Sequence, residues 1–573
     1  MGKNISMLRS VLCWILALCL MLSLTACRYP VPTTGPTSPG TSKPNTTPTA
    51  PVVNPTVPTD PITPTDPTTP TNPEIIGAGL EYMLTQDDVD AFYALLEKCE
   101  TLAMAGEDMD AIDASSVELD EMYEYLNTQC TIAMILHYCD ISNEALSQQY
   151  LDCYEICMQA SDAYIQMARR VYLSDSPAKE LLFADWTEQD VAMLLAYDEE
   201  IALLRQRNEE ITVEYYESSD DDTIIPLYIE FVQNNNQIAQ YYGYDNYYEY
   251  AYELVYARDY QPEELEQMRR YVKDYVTPLF HQSYLNYYDA VSSLSQSDWD
   301  GLNNFLVDDY DTTGKNYVDL YIQALPDAMA DALRQMLNDD SLFVPRQTAK
   351  AAAFTTMIGD RSFCYFGPGY ASSSTVIHEG GHYYASLHTD LETISMDLAE
   401  VHSQGNEWLF IHAMKDHMGR SQHNALVDFR IYQDLVTIMV CLMVDEFEAK
   451  VYTTDISEFT AEDFDALMET VATQYFSMAY ITNYITDIQY YWRMVVVDQP
   501  VYYISYAVSA ITALDLYTLA VEDYAAAVAA YQLLCENLDE ELGLLGNVNA
   551  ASLAGPFQEV FYQRLANLVE GHT

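Results

Sequence analysis

Residues 28–75 consist almost entirely of proline, threonine, serine, glycine and asparagine, and this stretch decides where a fold can begin. Runs such as Asp66-Pro67-Thr68-Thr69-Pro70-Thr71 carry too little apolar surface for a core and favour extended polyproline conformers. The stretch reads as a semi-rigid, disordered stalk. Residues 76–573 read differently, as one large, mainly α-helical domain with a small β-sheet and no evident internal boundary. Apolar residues recur at three- and four-residue spacing over Val117–Cys139. Further helices are predicted over Asp190–Arg207, Ile224–Tyr242, Pro262–Tyr287 and Ala461–Met494. Ser142 reads as the N-cap of a helix opening at Asn143-Glu144-Ala145. Strand signals are few. The clearest is Arg361–Tyr370, where Phe363-Cys364-Tyr365-Phe366 leads into Gly367-Pro368-Gly369.

Residues 1–27 read as an address. Lys3 and Arg9 form a weak basic start, and Val11–Leu24 is apolar but too short for a comfortable spanning helix. The segment Leu24-Thr25-Ala26-Cys27 resembles the lipobox of bacterial lipoproteins. That resemblance implies cleavage before Cys27, lipidation of its thiol, and anchoring on the extracellular face of the bacterial cell membrane. An ordinary secretory signal or an uncleaved anchor are the alternatives. No later segment looks long and apolar enough to cross a membrane.

The 87 acidic residues against 25 basic ones give a formal net charge of -62, which repels phosphate backbones and makes nucleic acid an improbable partner. The 49 tyrosines suggest a wet interior or a lined cleft, the plainer reading being rings half-buried along helices. Eight cysteines follow the leader, sparse and in helical segments. Cys153 and Cys157, at i and i+4, suit two small apolar side chains facing a core, and pairing stays open.

The strongest local signal is His378-Glu379-Gly380-Gly381-His382. On a helix the two histidines lie one turn apart on one face, so both imidazoles can reach a single ion, and Glu379 is placed to accept a proton from water. Ser372, Ser373, Ser374 and Thr375 offer N-caps. Two glycines in a helix interior are costly, and close packing against another element would explain them. A hydrolytic zinc site needs a third protein ligand. Downstream, Glu400, Ser403 or Gln404, and Glu407 recur at helical spacing beside the apolar run Trp408-Leu409-Phe410-Ile411, and Glu400 lies 18 residues beyond His382.

At this point the sequence resembles the thimet oligopeptidase and oligoendopeptidase F family of metallopeptidases. The resemblance rests on His378–His382, on Ala399-Glu400-Val401-His402-Ser403 through Glu407, on Ile238–Tyr250, and on Pro500-Val501-Tyr502-Tyr503-Ile504-Ser505-Tyr506-Ala507. It covers roughly residues 225–515. It implies one zinc ion on His378, His382 and Glu400, with Glu379 as general base and Glu407 as an outer carboxylate. Tyr502, Tyr503 and Tyr506 are implied as hydrogen-bond donors to a developing oxyanion, Tyr503 and Tyr506 foremost. Backbone near Gly367 and Gly369 is implied to bind the substrate's peptide groups. The implied fold is a helical ellipsoid with a deep central channel, the implied substrates oligopeptides. Two departures stand out. The stretch Met494–Gln499 lacks the histidine that many relatives carry before the tyrosine cluster, and the interval between His382 and Glu400 is shorter than the family's common form. The expected activity is zinc-dependent endopeptidase action on oligopeptides at the cell surface. The competing readings are a catalytically inactive peptide-binding lipoprotein of the same fold and a structural or adhesive surface protein. His388, His402, His412, His417 and His423 read as hydrogen-bonded or exposed rather than as ligands.

Overall fold

A computed structural model of the chain describes residues 80–571, apart from 185, 187–190, 192, 193, 196–198, 219, 308–313, 390–393, 478–490, 494–496, 498, 537 and 539–541. The leader with Cys27 and the stalk expected over 28–75 lie outside the described residues.

Helices α1 (Gln86–Ala105), α2 (Met109–Cys139) and α3 (Glu144–Leu173) open the fold, each start set by a polar side chain. Asp88 accepts the Thr85 N–H at 2.9 Å, and Asp108 accepts the Ala111 N–H at 3.1 Å. Asn143 accepts from Ala145 and Leu146, at 3.1 and 3.4 Å. Asn143 therefore takes the capping role expected of Ser142, whose hydroxyl instead donates to Asp140 at 2.6 Å. Ser142 stands one residue too early to reach the first free N–H groups.

Helices α4 (Glu199–Glu217) and α5 (Asp221–Tyr241) pack together, and α6 (Pro262–Tyr271) runs into α7 (Thr277–Ser292) through a π-helical turn at Val272–Val276. Pro278, at the start of α7, has no N–H to continue the α-helical ladder there. Helices α8 (Gln296–Val307), α9 (Lys315–Ala324) and α10 (Asp327–Asp339) lead into the sheet.

The sheet has the order β1 (Ser341–Phe343), β3 (Arg361–Phe366), β2 (Ala353–Ile358), parallel on one side of β3 and antiparallel on the other. Both faces of β3 are covered, so every residue after Arg361 is buried and no hydrophobic alternation shows. Phe363 and Tyr365 join the core of α1–α3, whereas Cys364 and Phe366 join the main core. Two apolar clusters thus meet across the sheet, a division that the uninterrupted helical pattern did not show. The Tyr365 hydroxyl donates to the backbone carbonyls of Tyr138 and Lys350, at 2.9 and 3.0 Å, tying α2 to the sheet.

The main core joins α4–α10 to α11 (Ser373–Ser386), α12 (Met396–Ala413), α13 (Arg420–Thr453), α14 (Ala461–Tyr475), α15 (Ile504–Glu522), α16 (Tyr524–Glu536), α17 (Gly543–Ala550) and α18 (Glu559–Gly571). The helix expected over Ala461–Met494 ends at Tyr475. Phe476 turns extended and buries its ring against Phe280. By length and composition α15 could cross a membrane, contrary to expectation, but 83% of its apolar window is buried inside the protein. Among the described residues tyrosines divide about evenly between buried and half-buried positions. Tyr321, Tyr383 and Tyr531 are wholly enclosed, with hydroxyls donating to Asn406 (2.7 Å), Asp340 (2.6 Å) and the His402 carbonyl (2.7 Å). All eight cysteines after the leader are buried, free thiols.

Candidate metal centre

The Gly367-Pro368-Gly369 turn hands β3 to α11, whose N-cap Ser372 accepts the Thr375 N–H at 3.2 Å. Helix α11 places His378 and His382 one turn apart, with ring centroids separated by 5.2 Å. Helix α12 lies across it and brings Glu400 Oε2 to 3.9 Å from Nε2 of both histidines. This approach depends on Gly381, where a Cβ would lie 2.3 Å from the His402 carbonyl oxygen and 2.8 Å from Ser403 Cα. A Cβ at Gly380 would meet Leu333 of α10 at 2.4 Å. The two helix-interior glycines are therefore explained by close packing.

The donor atoms of His378, His382 and Glu400 all lie within 4.8 Å of one another. Three points so spaced lie within about 2.8 Å of a common centre, near enough to zinc bond lengths of about 2.0–2.2 Å that small side-chain rotations close the difference. The imidazoles are 28% and 17% exposed and Glu400 only 5%, so the site opens to solvent on the histidine side.

Outer contacts hold His378, Glu400 and Glu379. Glu407 Oε1 is 2.6 Å from His378 Nδ1, so a neutral His378 donates there and turns Nε2 toward Glu400. Glu407 Oε2 is held by Arg430 Nη1 at 2.5 Å and by the Ser374 hydroxyl at 3.3 Å. Arg430 also contacts Asp434 at 3.0 Å, and Asp434 accepts the Trp408 indole N–H at 2.9 Å. The Ser403 hydroxyl donates to Glu400 Oε2 at 3.0 Å, and the Thr355 hydroxyl of β2 donates to Glu379 Oε2 at 2.8 Å.

The electrostatics ask for a cation. Glu379, Glu400 and Glu407 lie within reach of one another's charge, and Arg430 pairs only with Glu407 and Asp434. Burial lifts the Glu379 carboxyl to about 7 and Asp434 to about 6, and raises Glu400. Burial works against a charged His378, yet the Glu407 hydrogen bond and charge lift it to about 9. Burial and then the His378 charge push His382 well down. Glu407 ends below the usual carboxylate range: burial opposes its ionisation, but Arg430 and His378 outweigh it. A buried set of this sign and donor type fits a divalent ion of the zinc class.

The tyrosine segment sits at the start of α15. Contacts along α12 and α15 run in step: Gln404 donates to Ser509 at 3.1 Å, and the Trp408 ring lies 4.2 Å from that of Tyr517. The two helices are thus parallel, with Glu400 level with the first turns of α15. Tyr502 is buried and its hydroxyl lies 3.3 Å from that of Tyr506, while Tyr503 and Tyr506 are partly exposed. Immediately before them Val501 has φ 66°, a left-handed conformation strained for a β-branched residue. It is held from both ends, its N–H donating to Glu448 at 2.9 Å and its carbonyl accepting from Arg258 at 3.0 Å. Arg258 also donates to Ser505 at 2.9 Å, contacts Asp397 at 3.5 Å, and stacks over the Tyr252 and Tyr256 rings.

Gly367 lies in the turn that follows β3. Its N–H donates to the Ala352 carbonyl at 2.7 Å and its carbonyl accepts from Tyr370 at 3.0 Å, so it serves the turn. Gly369, with φ 77°, completes that turn. Of the other histidines, His402 and His423 contact the Leu534 and Ile411 carbonyls, and His412 stacks on Tyr524, none as a ligand. Met494, Val495, Val496 and Asp498, from the stretch lacking the usual histidine, lie outside the described residues.

Sequence reasoning missed Thr355, Arg258, Glu448 and Arg430. Arg430 left a signal: an arginine flanked by Leu426, Val427, Phe429 and Ile431 in a chain with only 25 basic residues, with Asp434 one turn on. Arg258 and Glu448 left none, because their partner is a backbone 53 or more residues away.

No protein-family model matches the sequence, and no curated protein matches it. Solved structures share its fold. PZ peptidase A with an inhibitor superposes with TM-score 0.62 at 18% identity, over 86% of this chain and 98% of that one. A structure described as an oligoendopeptidase F gives TM-score 0.65 at 18% identity, over the same shares. Another so described, from Bacillus anthracis str. Ames, gives 0.62 at 17%, over 86% of this chain and 97% of that one.

Proposed function

We propose that this chain, which has the fold of the oligoendopeptidase F structures, is a zinc-dependent metalloendopeptidase that hydrolyses oligopeptides. The observation that carries the reading is the convergence of His378, His382 and Glu400 from two helices, with Glu379 beside them. A zinc ion on these donors would supply Lewis acidity, lowering the pKa of water and polarising a carbonyl. The chain's own groups do the rest. Glu379, oriented by the Thr355 hydroxyl, accepts a proton from the attacking water and returns it to the leaving amine. Tyr503 and Tyr506, with Tyr502 behind them, donate hydrogen bonds to the developing oxyanion. Glu407 and Arg430 hold the His378 ring in orientation. Leu24-Thr25-Ala26-Cys27 supports placement at the cell surface through a lipid on Cys27, with residues 28–75 as a spacer.

The test is cleavage of a quenched fluorescent peptide library by the purified chain. Cleavage at internal bonds is expected, abolished by a chelator and restored by zinc. Binding of peptides without turnover in zinc-loaded protein would instead establish the inactive peptide-binding reading.

A further inference from the structure

Among the described residues, one other group of ligand-type side chains converges, and it lies in the α1–α3 lobe, away from the histidine centre. The Sγ atoms of Cys130 on α2 and of Cys153 and Cys157 on α3 all fall within 4.8 Å of one another. The i, i+4 spacing stacks Cys153 and Cys157 on the face of α3 turned toward α2, where Cys130 meets them. The three residues are only 2%, 0% and 4% exposed. Sulfurs so spaced lie within about 2.8 Å of a common centre, against a zinc–thiolate bond of about 2.3 Å. The Cys157 thiol donates to the Leu126 carbonyl at 3.4 Å, which orients one member, and the Tyr82 hydroxyl bonds Cys153.

A disulfide explains this arrangement poorly. Cys153 and Cys157 stand one turn apart on a continuous helix, so a bridge would join Cys130 to one of them and strand the other beside it. Three converging sulfurs match the donor set of a thiophilic d10 cation.

We propose that Cys130, Cys153 and Cys157 form a second, structural metal site of the zinc class that clamps α2 to α3. Binding replaces three S–H bonds by three metal–sulfur bonds and releases the three protons to solvent, leaving one net negative charge at the site. The Tyr82 hydroxyl donates to the Cys153 thiolate and shares that charge.

The experiment is a cadmium titration of the full chain in a phosphine reductant, followed by thiolate-to-metal charge-transfer absorbance, which imidazole and carboxylate ligands do not give. The band is expected to saturate at one ion, to persist in a His378→Ala/His382→Ala variant, and to be lost in Cys130→Ala. Zinc should raise the thermal midpoint of the double histidine variant and leave it unmoved once Cys130→Ala is added to that variant, while Cys130→Ala alone keeps the wild type's peptide cleavage. Should Cys130→Ala lose its far-UV circular dichroism, Cys157→Ser serves in its place with the same expectation. A band that survives both cysteine substitutions overturns the proposal. So does the lack of any band in fully reduced protein, or intact mass and peptide mapping that show a Cys130–Cys153 or Cys130–Cys157 disulfide.

Discussion

At the centre of the site, the proposed activity divides single side chains between holding an ion and moving a proton. Glu379→Gln keeps the size and the hydrogen bond to Thr355 but cannot accept a proton, so kcat is expected to fall by about 10²–10⁴-fold with zinc content unchanged. Glu407→Gln should instead loosen the His378 ring and weaken zinc affinity by about 10–100-fold, read by competition with a chromophoric chelator. Asp120 offers a check on buried charge remote from the site. Burial lifts its carboxyl to about 6, although the Tyr164 hydroxyl hydrogen bond opposes the rise. The unfolded chain gives up this proton near pH ~4, so the folded state binds more protons between about pH 4 and 6, and stability falls as pH rises through that window. Asp120→Asn is therefore expected to stabilise the chain at neutral pH, by of order 2 kcal/mol, and to lose that advantage below about pH 4 in chemical denaturation. The paired histidines and Glu379 were legible in the sequence as one motif because a helical spacing joins them. Thr355 and Glu448 were not, since each acts through contacts that only the tertiary fold creates.

At the scale of the elements, the α11–α12 contact is what turns two motifs into one site. Gly381→Ala would drive a methyl into the His402 carbonyl and separate the helices. The expected outcome is a loss of roughly 1–3 kcal/mol in stability, together with weakened zinc binding, whereas an alanine at an exposed helix position does neither. The strained segment before Tyr502 is a second such element. Arg258 reaches the Val501 carbonyl, the Ser505 hydroxyl and two aromatic faces at once, a set of contacts that a lysine cannot reproduce. Arg258→Lys should lower kcat more than it raises KM, and leave zinc content intact. Helix existence was readable from periodicity, as with α2 and α7, because a half-buried helix must alternate its faces. Ends were less readable: Asn143 displaced Ser142 as a cap, and the packing of Phe476 ended α14 before the pattern faded.

Over the whole molecule, two apolar clusters share the three-stranded sheet, so the α1–α3 lobe and the main helical body are joined through it. That division was hidden in the sequence, since a strand covered on both faces shows a continuous apolar run instead of an alternation. The charge excess acts at the same scale. With a formal net charge of -62, self-repulsion opposes the compact state, and the thermal midpoint should climb as monovalent salt is raised from low ionic strength toward ~0.15 M, where the Debye length falls to about 8 Å. The most direct test of the central claim is zinc-edge X-ray absorption on Cys130→Ala, with cleavage of the peptide library followed on the same samples. One zinc with only nitrogen and oxygen neighbours at about 2.0–2.2 Å, lost together with cleavage on further substitution of Glu400→Ala, is the predicted result. Zinc retained in an unchanged shell after Glu400→Ala, or cleavage undiminished in chelator-stripped protein, would contradict it.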